Sequence, residues 1–497
     1  MDRYPAFLRQ RYRAIVAYTG LVCVMTGIGI LSPLVALLAY PEEWRLATAF
    51  LCPGGGLIGL GGLAWYRFRP SAGSGLTGQE GAVIVVLAWI LAILAGTVPF
   101  LWESGLNFTQ AMFESTSGWT TTGLSVVDVT QAPRLILLFR SITELLGGAG
   151  LAIITLSAIA GPSGSGLSIA EGRSEQLAPH VRRSAKLVLS LYSGYILVGI
   201  VALRLAGMTW FDAVNHSFAA LSTGGFSTQP DSFGHWDSLP IEAVTLVLML
   251  VGSLNFVTGY LVLRGQVQSL WRDGQQRIQA LLVIGGGAIL LTGVTLSRYA
   301  PWGKAVRVAL FETVSALTTT GFATVGYGDW NGLGWWVLIV LMIIGGGAGS
   351  TAGGVKQLRV YMLYRSLIWD IQHRFKPDQA VGEPSLWQSN TRQFLKDRDI
   401  RQAAVFIFLY LVTFVLCSMI IAAHGYALDA SLFETASAMS TVGLSVGVTA
   451  PDAPATLLWT ETLAMFLGRL EFFTVLVGLL RLLRDLRFLI FGCVNSA

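Results

Sequence analysis

Long apolar runs alternate with short polar connections along this chain, and their order repeats. Two runs come first, at residues 15–38 and 46–65. From residue 81 one pattern recurs four times: a membrane-length run, a shorter apolar stretch that stops at a Thr/Ser-rich step before glycine, and a second membrane-length run. The paired runs are 82–101 and 135–160, 187–205 and 241–263, 278–296 and 335–363, and 403–423 and 457–480. A helix of about 20 apolar residues crosses a bilayer core. The pattern therefore predicts an all-α integral membrane protein with ten spanning helices and four re-entrant loops. Its expected parts are an accessory two-helix hairpin (1–75) and four repeats (76–165, 166–272, 273–375 and 376–497).

The short stretches share an eleven-residue frame. It reads FESTSGWTTTG at 113–123, FETVSALTTTG at 311–321 and FETASAMSTVG at 433–443, with a weaker copy, NHSFAALSTGG, at 215–225. The closing glycines, Gly123, Gly225, Gly321 and Gly443, are 102, 96 and 122 residues apart. Four copies of one unit imply a pseudo-fourfold object.

Composition agrees with a membrane chain: 53% of the 497 residues are apolar and 12% charged. Frequent Gly, Thr and Pro inside the runs suit helices that pack closely or break at a cavity. Cys23, Cys52, Cys417 and Cys493 are scattered without CxxC spacing, so neither a metal site nor a disulfide is inferred. The run at 15–38 is too long for a signal-peptide core and reads as a retained helix. His180, His216, His235, His373 and His424 fall in separate segments without ligand spacing, and no nucleophile motif stands out. An intramembrane enzyme or a scaffold is thus disfavoured, and the chain is not expected to be an enzyme.

Basic residues orient the chain. With the N-terminus inside, 25 of the 33 Lys and Arg residues lie on inner segments, which predicts cytoplasmic N- and C-termini and four frames facing outward. The long inner loop at 364–399 is polar and basic, suited to cytoplasm or a partner. Asp128, Asp231, Asp237, Asp329 and Asp452 follow the frames; singly they read as solvated loop acids, and together as an outer mouth attractive to cations.

Each frame reads as a half-helix that aims its negative dipole end at mid-membrane. An extended strand after it can point carbonyls at an axis, which is how a filter replaces a cation's water shell. Glycine suits the turn, because it reaches positive φ without a Cβ penalty. These units resemble those of the Trk/Ktr/HKT superfamily of cation transporters, most closely the bacterial TrkH/TrkG potassium-uptake subunits, over nearly the whole chain. The resemblance implies selectivity glycines at Gly123, Gly225, Gly321 and Gly443, followed by Leu124, Phe226, Phe322 and Leu444. It implies potassium-facing carbonyls at Thr121, Thr122, Thr223, Gly224, Thr319, Thr320, Thr441 and Val442. Gly123 stands where sodium-preferring plant relatives have serine, so potassium is the expected ion, with no organic cofactor. The alternative is a sodium-permeable relative, or one coupled to sodium or protons as a symporter.

Residues 324–329 read TVGYGD, the filter signature of tetrameric potassium channels. The matched frame puts the filter glycine at Gly321, so this segment reads as an outer loop, with a filter role as the alternative. The run at 335–363 is interrupted by Gly345, Gly346, Gly347, Ala348, Gly349, Ser350, Thr351, Ala352, Gly353 and Gly354, followed by Val355 and Lys356. Such glycine density does not favour a continuous helix. A phosphate loop fails on the Lys356 spacing, and a close-packing glycine face is the other reading. The resemblance points to an intramembrane gate under the filter. Arg469 is the lone basic residue in the last run and should face a cavity or partner. It is either a positive barrier below the filter or the donor of a structural contact to Glu461, Glu144 or loop carbonyls. The resemblance further implies a homodimer in the bacterial inner membrane, in contact with lipid, bound to a cytoplasmic nucleotide-binding subunit of TrkA type, and without nucleic acid.

Overall fold

The structure, a computed structural model, describes residues 3–69, 76–150, 181–375, 383–388 and 391–491. Helices Arg3–Leu31 and Ala47–Phe68 form the N-terminal hairpin, joined through two 3-10 turns. A Cβ on Gly61 would stand 2.3 Å from the Gly20 carbonyl oxygen, and one on Gly27 would stand 2.6 Å from that of Gly54. Small residues thus let the two backbones touch, the usual way for apolar helices to associate without a hydrophobic driving force. Apolar packing, such as Phe50 against Phe139, and polar contacts together tie the hairpin to the rest of the chain. Arg11 pairs with Glu80 at 2.8 Å, and the Tyr12 hydroxyl donates to Asp485 at 3.0 Å.

The four repeats share one plan. The first has a long helix Gly78–Glu103, a half-helix Phe108–Trp119 and a second helix Arg134–Ala149. The second has Val181–Ala206, half-helix Trp210–Ser222, then Leu239–Ser253 and Phe256–Leu263. The third opens on Gly274–Leu290, which runs through a π turn into Leu296–Arg298, and continues with half-helix Trp302–Leu317 and helices Gly332–Ile344 and Gln357–His373. The fourth comprises Asp397–Ala422, half-helix Leu428–Met439, then Ala455–Leu470 and Phe472–Phe491.

Two runs expected as single spans are broken. The 241–263 run bends by 117° between Ser253 and Phe256, and the 457–480 run by 100° at Glu471. The causes are local. Asn255 turns its side chain back to accept from Val257 N at 2.7 Å, starting a new helix. Glu471 holds φ +59° and pairs with Arg359 at 2.7 Å. Broken backbone at membrane depth survives only with such internal partners. Among the described residues six helices are long and apolar enough to cross a membrane, and the two bent pairs bring the number to eight. Of the ten expected spans, the 335–363 run is split by its glycine segment, and the 135–160 run is described only to residue 150. The repeat boundaries expected at residues 75/76, 165/166 and 375/376 touch or lie outside the described residues. The long polar loop also holds a small antiparallel hairpin, Ser385–Gln388 with Thr391–Phe394, which the all-α expectation lacked.

Candidate functional site

All four half-helices end in the same backbone motif. Thr122, Gly224, Thr320 and Val442 donate their N–H to the carbonyls of Ser117, Ala219, Ser315 and Ser437 at 2.8–3.0 Å. The preceding residues, Thr121, Thr223, Thr319 and Thr441, donate to Gly118, Ala220, Ala316 and Ala438. This pair of bonds is the Schellman motif, which needs a left-handed residue just past the helix end. Here that residue is threonine each time, with φ of 52–55°. Gly123, Gly225, Gly321 and Gly443 follow two positions later, at φ of 82–98°. Left-handed backbone costs a β-branched residue energy, so four threonines in this state are held there by their surroundings.

The four glycines form a closed ring. A Cβ on Gly123 would meet Gly224 O at 2.3 Å, one on Gly225 would meet Thr320 O at 2.3 Å, one on Gly321 would clash with Val442 O, and one on Gly443 would meet Thr122 O at 2.2 Å. Each repeat therefore touches the next, and the fourth returns to the first. Leu124, Phe226, Phe322 and Leu444 are buried immediately after the glycines.

Behind the ring lies a set of residues that the sequence reading passed over. Glu114, Glu312 and Glu434 occupy the second position of three frames, and all are fully buried. Glu114 accepts from Val126 N and Ser125 Oγ at 3.0 Å and from Arg140 Nε at 2.8 Å. Glu312 accepts from Thr324 N at 2.8 Å and from the hydroxyls of Thr324 and Tyr327 at 2.7 and 2.5 Å. Glu434 accepts from Val446 N, Val448 N and Ser445 Oγ. In the second frame His216 takes this place, with its Nε2 3.0 Å from Ser227 Oγ. Each half-helix thereby clamps the strand that follows its glycine. The signal was the FE pair common to three frames. Thr324 and Tyr327 serve as braces of the strand after Gly321, which is how the TVGYGD segment fits the fold.

Under the ring sits the glycine segment of the third repeat. Gly353 N donates to Thr319 Oγ1 at 2.7 Å, and the Thr351 and Thr223 hydroxyls are 3.1 Å apart. A Cβ on Gly353 would lie 2.1 Å from Ser440 O and 2.3 Å from Thr441 Oγ1. The segment therefore presses on three of the four left-handed threonines. The break in the second repeat anchors it: Gly347 N donates to Ser253 O, Asn255 Nδ2 to Ala348 O at 2.8 Å, and Phe256 N to Gly349 O. Ala348 N donates to Gln275 Oε1, Gln357 Nε2 to Gly345 O, and Gln357 N to Gly346 O. Ser350 Oγ donates to Gly347 O, Lys356 Nζ to Ala352 O, and Val355 N returns to Ile343 O, close to the turn at Gly354.

Arg469 reaches this segment from the fourth repeat. It donates to Thr351 O at 2.7 Å and to Gly147 O, the end of the first repeat's second helix, at 2.6 Å. A loop carbonyl, one of the contacts considered for it, is among those it makes. The acids after the frames are less uniform than expected. Asp237 is paired with Lys304 and Arg307, each at 2.9 Å, and these neighbours hold its carboxyl below the ordinary range. Its charge is balanced by these two cations, although the side chain stays 52% exposed.

The chain matches the family model TrkH, cation transport protein, over residues 54–484. It is 31% identical to an uncharacterized cation transporter of Methanocaldococcus jannaschii, with 92% of this chain and 93% of that one covered. It is 30% identical to the Trk system potassium uptake protein TrkH of Vibrio parahaemolyticus (94% and 98% covered) and to TrkG of Escherichia coli (94% and 97%). The crystal structure of the potassium transporter TrkH from Vibrio parahaemolyticus superposes with a TM-score of 0.82 at 30% identity, over 94% of this chain and 98% of that one. With most of the chain matched in both sequence and fold, this multi-pass membrane protein belongs to the TrkH family of cation transport proteins.

Proposed function

We propose that the chain carries potassium ions into the cell through the ring of four glycines. The observation that supports this most is the closed circuit of contacts from Gly123 through Gly225 and Gly321 to Gly443 and back. Carbonyls of Thr121, Thr122, Thr223, Gly224, Thr319, Thr320, Thr441 and Val442 then line one axis and replace the ion's water shell. Potassium is the substrate, not a resident cofactor, and transport, not catalysis, is the activity. The segment from Gly345 to Gly354, with Lys356 and Arg469, is the gate: it presses on the threonines below the ring, and a cation leaving the ring must displace it. In this reading the frames face outward in a bacterial inner membrane, the termini are cytoplasmic, and the chain pairs as a homodimer with a cytoplasmic nucleotide-binding subunit of TrkA type. The name Trk system, borne by relatives, supports a multi-component assembly.

The test is rubidium uptake into proteoliposomes holding the purified chain, with sodium as competitor. Uptake that ignores excess sodium supports the potassium filter. Equal entry of sodium keeps the pore and overturns the choice of ion. No flux, with or without an added cytoplasmic subunit, in protein shown to be folded, overturns the transport reading.

A further inference from the structure

The second frame departs from the others just before its glycine. Thr122, Thr320 and Val442 carry side chains where the second frame has Gly224. A Cβ built on Gly224 would stand 2.3 Å from the carboxyl carbon of Glu144 and 2.6 and 2.7 Å from its oxygens. The carboxylate of Glu144, carried by the second helix of the first repeat, thus fills the space that a side chain fills in the other three repeats. The glycine is the condition for its presence.

Glu144 is fully buried. Its Oε1 accepts from Phe226 N at 2.9 Å, while Oε2 has no hydrogen-bond partner among the described residues. Arg140, one turn earlier on the same helix, is committed elsewhere: to Glu114 and Ser125 at 2.8 Å, to Ser227 O at 3.1 Å, and over the Phe226 ring at 3.9 Å. Among the described residues no basic side chain lies within ion-pair distance of Glu144. Glu114, Glu312 and Glu434 differ, since each is filled by backbone and hydroxyl donors. A buried carboxylate with one hydrogen-bond donor and no ion pair must be neutralised by a proton or a cation. Resting on the filter reading above, a permeant ion on the axis would lie across a single backbone residue, Gly224, from this carboxylate.

We propose that Glu144 is a specificity-determining residue: a carboxyl group behind one wall of the ring that is ionised when a cation replaces its proton, and so sets cation affinity at the level of the Gly224 carbonyl. The charge is asymmetric, on one wall of four. It also favours a divalent blocker such as barium, because attraction scales with the ion's charge.

Rubidium uptake by proteoliposomes of the full chain tests this, read as half-saturating rubidium, maximal rate and barium block. Glu144→Gln keeps the shape and the acceptor for Phe226 N. It should raise half-saturating rubidium on the order of tenfold and weaken barium block at least as much, with a smaller change in maximal rate. The double variant Glu144→Ala/Gly224→Thr restores the side chain of the other repeats without the charge, and should show the same weakened affinity. Wild-type affinity and barium block in either variant overturn the proposal, because they make Glu144 a space-filler. Should Glu144→Gln fail to insert, the double variant decides alone. A wild-type chain that moves no rubidium removes the filter reading itself, a separate result.

Discussion

Replacing Arg469 with alanine should open the path below the ring, and the structure sets the size of the effect. Arg469 joins two elements: first a helix end, through Gly147 O and Gly148 O, and second the glycine segment, through Thr351 O. Only the second bond is lost when the segment moves, so only that bond counts toward the closed arrangement. A hydrogen bond to a charged group contributes about 1.5–3 kcal/mol, and about 1.4 kcal/mol is tenfold in an equilibrium. Removing Arg469 should therefore shift the segment's equilibrium toward displacement by roughly 10- to 150-fold. Loss of its positive charge from the ion's exit acts in the same direction. The assay is initial rubidium uptake in proteoliposomes at matched protein density, with thermal melting to show that Arg469→Ala folds. Arg469→Lys keeps the charge but not the forked reach, and should fall between wild type and alanine. Flux unchanged or reduced in folded Arg469→Ala refutes both the clamp and the barrier.

Other outcomes follow from the same geometry. Gly353→Ala puts a methyl 2.1 Å from Ser440 O; the segment must withdraw, and resting rubidium leak should rise severalfold in uptake assays. Tyr327→Phe removes a buried hydroxyl bonded to Glu312; it should cost about 1.5–3 kcal/mol of stability, seen as a lower melting temperature, and relax rubidium-over-sodium preference. Glu434→Gln places an amide among the backbone donors of Val446 and Val448; an uncompensated buried donor should cost about 1–3 kcal/mol, and uptake should fall with the melting temperature. Gly123→Ser forces a Cβ against Gly224 O at φ +92°; discrimination of rubidium over sodium should drop by about tenfold or more, measured by ion competition.

The frame was legible because four copies made a weak signal strong. A single Thr-Thr-Gly step reads as a helix end, whereas four, each between membrane-length runs, place four ends about one axis. The glycine segment was legible through glycine density together with the family resemblance; density alone would not have sufficed, since helix Ala47–Phe68 carries six glycines between residues 54 and 62. What sequence hid was partnership across long separations. The FE pair stood in plain view in three frames, yet the bonds of Glu312 to Thr324 and Tyr327 depend on how the strand folds back. The breaks fall at Asn255 and Glu471, each one polar residue among several in a mainly apolar run, and a hydropathy window passes over them. Each is stabilised by partners far along the chain: Asn255 by Ala348, and Glu471 by Arg359. The second frame read as a poor copy for a physical reason. Its Gly224 makes room for Glu144, eighty residues earlier, and its His216 does what glutamate does elsewhere.

If the pore works as proposed, the four-glycine ring itself holds a dehydrated cation. Crystals of the purified chain grown in rubidium, measured at the rubidium absorption edge, test it most directly. Anomalous density is expected on the axis at the level of the Thr122, Gly224, Thr320 and Val442 carbonyls. Density confined to the 324–329 segment or to the acids of the outer loops, with none on that axis, would contradict it.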